Sequence, residues 1–399
     1  MPDRHHFSQS ARRADADALR AALLDSRAQT LAGFAAYAQA LPALQVPYRD
    51  EVNPPLWELG HIGWFQEWWT SRNPQCALGA GCDPAVARAP SLLGAADRLY
   101  DSSAIVHAAR WSLPLPDAQA SLDYLARGIE RTLAGLAHAG TTDDELYFYR
   151  LSLFHEDMHN EAAIYMANSL GFEVPHAASA LAAARPALRV AGADVRLGWA
   201  GAGFAFDNEL QGRAVALDTY EIDAVAVSNA RFAAFVDAGG YADRGCWSDA
   251  GWAWRAAGEL RAPRFWRRHG TSWQQCRFGR WLELAPDEPA MNLSCHEAEA
   301  WCAWAGRRLP GEAEWEHAAL VIDGFRWGDV WEWTADRFAP YDGFAAHPYR
   351  DYSAPWFGSR RVLRGASIAT HARIRHARYR NFFAPERNDI FAGFRTCAA

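Results

Sequence analysis

The chain has 399 residues, 50% hydrophobic and 22% charged, which is enough for two domains with packed interiors. All 40 of its basic residues are arginines, set against 47 acids; the absence of lysine excludes a lysine Schiff base, a pyridoxal-phosphate anchor and a P-loop lysine. A net charge of −7 argues against a general nucleic-acid surface, and no run approaches the roughly 18 apolar residues of a membrane span.

The polar start MPDRHHFSQSARR lacks the apolar core of a secretion signal, so a cytoplasmic address is expected. From about Ala11 to Gly171 the chain is rich in Ala and Leu at helical spacing. The pattern predicts one helix over Arg12–Leu41 and a second over Pro55–Arg72. A third is capped by Asp117 and reaches about Ala139; a fourth runs from Thr142 until Gly171 stops it. Four long helices joined by loops pack most simply as an antiparallel bundle, residues 11–175. A low-complexity joint, 176–188, follows. Beyond it, over 189–399, short apolar runs, many glycines and dense Trp predict an α+β domain. Helical spacing returns there at Ser228–Ala238, at Ser294–Gly306, and past Pro310 to about Leu320. The seven cysteines are odd in number, contain no CxxC and read as reduced thiols.

The sharpest chemical signal is His155-Glu-Asp-Met-His159-Asn-Glu161 in the fourth helix. Residues four apart share a helix face, so both imidazoles can converge on one ion, with Glu161 available to steady a ligand from behind. The phrase also matches HExxH, which would make Glu156 the base of a zinc hydrolase. Two ligands do not complete a site. The third candidate is His61, mid-helix in Leu56-Trp-Glu-Leu-Gly-His-Ile-Gly-Trp-Phe65, where Gly60 and Gly63 imply close approach of a neighbour. Taken alone, His61 reads more simply as a core histidine. With His155 and His159 in one bundle, a three-His site suited to Fe(II) or Zn(II) is expected.

In the second half a set of phrases occurs in order. Among them are Phe206-Asp-Asn-Glu209, Gly239-Gly-Tyr241, Trp301-Cys-Ala-Trp-Ala-Gly-Arg-Arg-Leu-Pro310, Val330-Trp-Glu-Trp-Thr334, Arg361-Val-Leu-Arg-Gly-Ala366 and Gly393-Phe-Arg395. This set resembles the sulfatase-modifying-factor (formylglycine-generating-enzyme-like) domain, a variant of the C-type-lectin fold. Behind a DinB-like four-helix bundle carrying HxxxHxE, it resembles the ergothioneine sulfoxide synthase (EgtB-like) family, including its selenoneine synthases. The resemblance implies an O2-dependent, non-haem Fe(II) enzyme with His61, His155 and His159 as ligands and hercynine, trimethylated histidine, as substrate. It implies further that Asn381 and Phe382 hold the trimethylammonium group. A tyrosine proton donor is implied near the loop after Trp-Glu-Trp-Thr, with Tyr341 the first candidate and Tyr379 the second.

Phe383 stands where enzymes using γ-glutamylcysteine tend to carry an acid, and a phenyl ring cannot pair with an ammonium by charge. The phrase Arg98-Leu-Tyr-Asp101-Ser-Ser103, followed by His107 and Arg110, is more similar to selenoneine synthases, which take a 1-seleno-sugar. Arg98, Asp101, Arg110 and Phe383 are therefore the expected donor pocket. The competing readings are an ergothioneine-type enzyme taking cysteine or γ-glutamylcysteine, and a non-catalytic lectin-like binding module. A formylglycine-generating enzyme needs a cysteine pair late in the chain, and only Cys397 follows Cys302. No nucleic-acid or membrane partner is expected.

Overall fold

A computed structural model describes residues 10–176 and 185–399, so most of the expected joint lies outside the described residues. Helices α1 (Ala16–Ala40), α2 (Pro55–Trp69), α4 (Ala118–Leu136) and α5 (Asp143–Leu170) form the N-terminal bundle, with short α3 (Ala96–Tyr100) on the way from α2 to α4. Their ends follow the capping chemistry of the sequence. Asp117 accepts from the Ala120 N–H, Thr142 and Glu145 cap α5 reciprocally, and Gly171 closes it at φ 88°. Leu19 and Leu23 of α1, Ile129 and Leu133 of α4, and Leu146 and Leu153 of α5 share one buried cluster.

One expected boundary moves. Asp15 accepts from the Ala18 N–H and starts α1 at Ala16, so Arg12 is not part of that helix. Its guanidinium instead lies buried against the second domain, donating to both carboxylate oxygens of Glu209 at 2.8 Å and to the Phe204 carbonyl.

The C-terminal domain carries two four-stranded sheets. One has the order β1 (Leu188–Val190), β4 (Tyr220–Ile222), β13 (Cys397–Ala398), β8 (Arg307–Arg308), so the last strand sits beside one of the first. The other runs β11 (Asn381–Phe383), β10 (Arg361–Gly365), β9 (Trp331–Arg337), β12 (Ala392–Gly393), with β10 antiparallel to both its neighbours. A ribbon pairs β2 (Ala193–Arg196) with β3 (Ala214–Leu217). Helices α6 (Asn229–Asp237), α8 (Cys295–Ala305) and α9 (Glu312–Val321) fall where the helical spacing places them. Helix α7 (Asp249–Ala257) and the hairpins of β5 (Trp266–His269), β6 (Ser272–Arg277) and β7 (Arg280–Glu283) escape the sequence reading. Every position of β7 is exposed, so it has no inward-outward alternation to detect.

The second domain is keyed onto the α5 face. Glu161 accepts from Trp331 Nε1, Ser367 Oγ and Thr370 Oγ1 at 2.7–2.8 Å. Arg373 bridges Asp157 of α5 and Asp25 of α1, and Phe154 packs on Phe204 and Phe206 across the junction.

Candidate metal centre

Helix α5 carries His155 and His159 one turn apart, and α2 crosses it so that His61 faces both. Potential ligand atoms of the three imidazoles lie within 4.8 Å of one another. Two glycines make the approach possible. A Cβ on Gly60 would fall 2.1 Å from the buried Tyr100 ring, and one on Gly63 would fall 3.0 Å from Leu125 of α4. With α3 allowed that close, the Tyr100 carbonyl reaches His61 Nδ1 at 2.8 Å. A carbonyl only accepts, so Nδ1 carries the proton and Nε2 keeps its lone pair. His159 Nδ1 lies 2.6 Å from Glu58 Oε2, which likewise leaves Nε2 for an ion. His155 lies flat on Phe65, with centroids 3.5 Å apart and planes within 2°.

Burial, helped by the neighbouring His159, lowers His61 to about 3 and moves His155 in the same direction. Both imidazoles are therefore neutral at physiological pH, as metal ligation requires. For Glu58, burial alone would raise the carboxyl; the charge and hydrogen bond of His159 outweigh it and hold the group at about 2. Three converging imidazole donors fit a divalent transition metal with coordination positions left open.

The other expected residues divide. Glu161 does not touch a ligand, because its carboxylate is taken by the three donors from the second domain; the acid that touches a ligand is Glu58, missed although it lies one helical turn before His61. Glu156, the base a zinc hydrolase would use, is buried in a pair with Arg27 at 2.7 Å and also accepts from Thr30. Tyr341 is packed with Leu197 and Ala313 inside the second domain, with the Arg380 guanidinium 4.0 Å from its ring centroid. It is a core aromatic. Tyr379 lies against the ligand helix, its Oη 3.1 Å from Tyr352 Oη and 3.4 Å from the sulfur of Met158, next to His159.

Two further tyrosines come from the same loop as Tyr341 and were missed. Tyr349 places its ring centroid 6.3 Å from that of His155 and 4.9 Å from that of Phe65. Tyr352 stacks on Phe206 at 4.4 Å. The loop is tied down by a 2.8 Å bond between Tyr147 Oη and His347 Nδ1, and by Ser353 donating to Asp207. Burial pushes the Tyr349, Tyr352 and Tyr379 phenols well up, so all three are protonated at neutral pH. The signal for Tyr349 was present in Pro348-Tyr-Arg-Asp-Tyr352, within the loop the family resemblance indicates.

Phe382 stacks on Phe338 at 4.1 Å and meets Tyr352 edge-on at 5.8 Å, whereas Asn381 turns its carbonyl to the Phe382 N–H. The Arg387 guanidinium lies 5.0 Å from the Phe383 ring centroid. Arg98 is exposed on α3, and Asp101 accepts from Ser103 while its charge reaches Tyr349. Arg110 is directed elsewhere, onto Asn53 and the Trp57 ring. A cavity of about 740 Å³ opens on the flank of the centre, among α1, α2, α5 and residues 368–375. Glu58 and His159 line it; the Asn381–Phe383 strand and the three site tyrosines do not.

The DinB superfamily matches residues 27–169, and the sulfatase-modifying factor enzyme 1-like domain matches 175–327 and 326–399. The hercynine oxygenase of Mycolicibacterium thermoresistibile is 34% identical, covering 88% of this chain and 89% of the relative. The hercynine oxygenase of Mycobacterium tuberculosis is also 34% identical, over 87% of this chain and 91% of its own. The formylglycine-generating enzyme of Streptomyces coelicolor, 31% identical, covers 47% of this chain and 80% of the relative. No helix among the described residues is long and apolar enough to cross a membrane. A helical bundle presenting three converging histidines, joined to this sulfatase-modifying-factor-like domain and matched by such relatives over 87–88% of its length, makes the chain an oxidoreductase of the hercynine oxygenase family.

Proposed function

We propose that this enzyme uses Fe(II) and O2 to join a chalcogen donor to C2 of the hercynine imidazole, and that the donor is a 1-seleno-sugar. The carrying observation is the convergence of three imidazoles beneath a loop that brings tyrosines from the other domain. His61, His155 and His159 would hold the iron, whose open positions supply O2 activation. The balance is a four-electron one: the imidazole C2–H and the donor Se–H are lost, a C2–Se bond forms, selenium keeps one oxygen as selenoxide, and the other leaves as water.

The chain's own residues do the positioning. Phe382 and Tyr352 offer aromatic faces of the kind a trimethylammonium group prefers. Tyr349 and Tyr379 hold phenolic protons beside the ligand helix, ready for transfer to a nearby oxygen. The seleno-sugar assignment rests on Phe383, which places an apolar ring over which Arg387 lies, with that arginine already paired to Asp389. This surface does not pair with a free amino-acid ammonium.

The test is competition. Fe(II)-loaded protein receives hercynine and O2 with seleno-sugar, cysteine and γ-glutamylcysteine together, and products are read by mass spectrometry. A selenium conjugate at C2 is expected. A sulfoxide conjugate would overturn the selenium assignment and leave the oxidative coupling; no conjugate from iron-loaded protein would overturn both. His155→Ala and His159→Ala are each expected to lose stoichiometric iron, and full occupancy in both would remove the metal assignment.

A further inference from the structure

We propose that Glu58 is a positioning residue for the ligand His159, and that Asn53 and Arg110 hold it in register as a relay from outside the centre. The inference rests on the metal assignment made above. Its basis is a continuous chain of bonds. His159 Nδ1 meets Glu58 Oε2 at 2.6 Å, Asn53 Nδ2 donates to Glu58 Oε1 at 2.5 Å, and Arg110 Nη1 donates to Asn53 Oδ1 at 2.8 Å. The Arg110 guanidinium then lies 3.8 Å from the Trp57 ring centroid, and Trp57 stacks on His61 at 4.8 Å within 10°. One arginine therefore braces the supports of two ligands. Its own turn, residues 107–112, is pinned to the chain before α2 by a 2.9 Å bond between His107 Nε2 and the Val52 carbonyl.

The arrangement makes the three imidazoles chemically unequal. His61 leans on a neutral carbonyl, His155 on a phenyl face, and only His159 on a carboxylate. A carboxylate behind a ligating imidazole fixes its tautomer and raises its basicity, and loss of such a partner typically weakens metal binding about 10- to 100-fold. The device is encoded within a few residues. Asn53 and Glu58 flank the two prolines that start α2, and an acid in that first turn also suits the positive end of the helix. Arg110 is thereby assigned to the metal centre instead of the donor pocket.

The test uses the full chain loaded with Zn(II), which is diamagnetic, and labelled with ¹⁵N-histidine. In the unaltered protein one Nδ1–H proton should sit far downfield, bonded to a carboxylate. Glu58→Gln is expected to move that resonance upfield and to weaken Zn(II) and Fe(II) binding about 10- to 100-fold in competition with a chelator. Glu58→Asp should restore part of both. Asn53→Ala, which leaves the carboxylate and removes one of its anchors, should shift both readouts less and in the same direction; it carries the test if Glu58→Gln does not fold. Metal affinity within twofold of the unaltered protein, or an unmoved resonance, overturns the proposal. Failure of the unaltered chain to take up metal would instead defeat the metal assignment, and this inference with it.

Discussion

Two tyrosines of one loop, eight residues apart, have opposite fates, and the difference lies in what each ring touches. Tyr341 is wedged between Leu197 and Ala313 with Arg380 against its face, whereas Tyr349 stands edge-on to His155. Tyr349→Phe keeps the packing and removes only the proton and its oxygen. It should lower turnover about 10²-fold or more, the range for loss of a positioned proton donor, with iron content unchanged. Tyr341→Phe should leave turnover within about twofold, since its ring is packed with Leu197 and Ala313 inside the second domain. Steady-state assays with metal analysis check both, and equal losses from the two variants would remove the distinction. Sequence could not tell which tyrosine of this loop lies beside His155, because that contact is made between domains.

Helix α2 shows what sequence does reveal at the scale of an element. Two glycines three residues apart in a helical pattern signal close approach, and the structure supplies the neighbours, Tyr100 for Gly60 and α4 for Gly63. Gly60→Ala would gain about 1 kcal/mol of helix propensity, yet its methyl would enter the space of a fully buried ring. Overpacking of that kind costs about 1–3 kcal/mol, so a lower urea midpoint and weaker metal binding are expected. Gly128→Ala in α4, where an added Cβ meets nothing within 4 Å, should raise the midpoint. Parallel urea titrations decide it; a midpoint unchanged or raised in Gly60→Ala would show that Tyr100 yields freely. Caps and breakers made α4 and α5 legible, and helical spacing revealed α6 and α8. Glu161 was misjudged for a physical reason: on a bare helix it shares neighbours with His159, and only the arrival of Trp331, Ser367 and Thr370 redirects it.

The whole molecule depends on arginines used as bolts between its halves. Arg12 and Glu209 are each almost wholly buried, so neither charge has water to fall back on. Removing one partner strands the other, at a typical cost of about 3–5 kcal/mol. Arg12→Met should therefore lower unfolding free energy by that amount, and pairing it with Glu209→Leu should recover much of the loss. Denaturant titration of the single and double variants tests this; a single variant within about 1 kcal/mol of the original would show a hydrated junction.

The division of labour between the halves also orders events in time. All three histidines belong to the first 159 residues, whereas Tyr349 follows about 190 residues later. At a synthesis rate of about 5–20 residues per second, the ligand set exists for roughly 10–40 s before its tyrosine cover can arrive. During that interval the nascent bundle meets whatever ions the ribosome's surroundings offer, and intrinsic affinity would favour copper or zinc over iron. Metallation of the proposed three-histidine site would then depend on what the cell makes available during translation, and closure of the second domain would enclose the outcome.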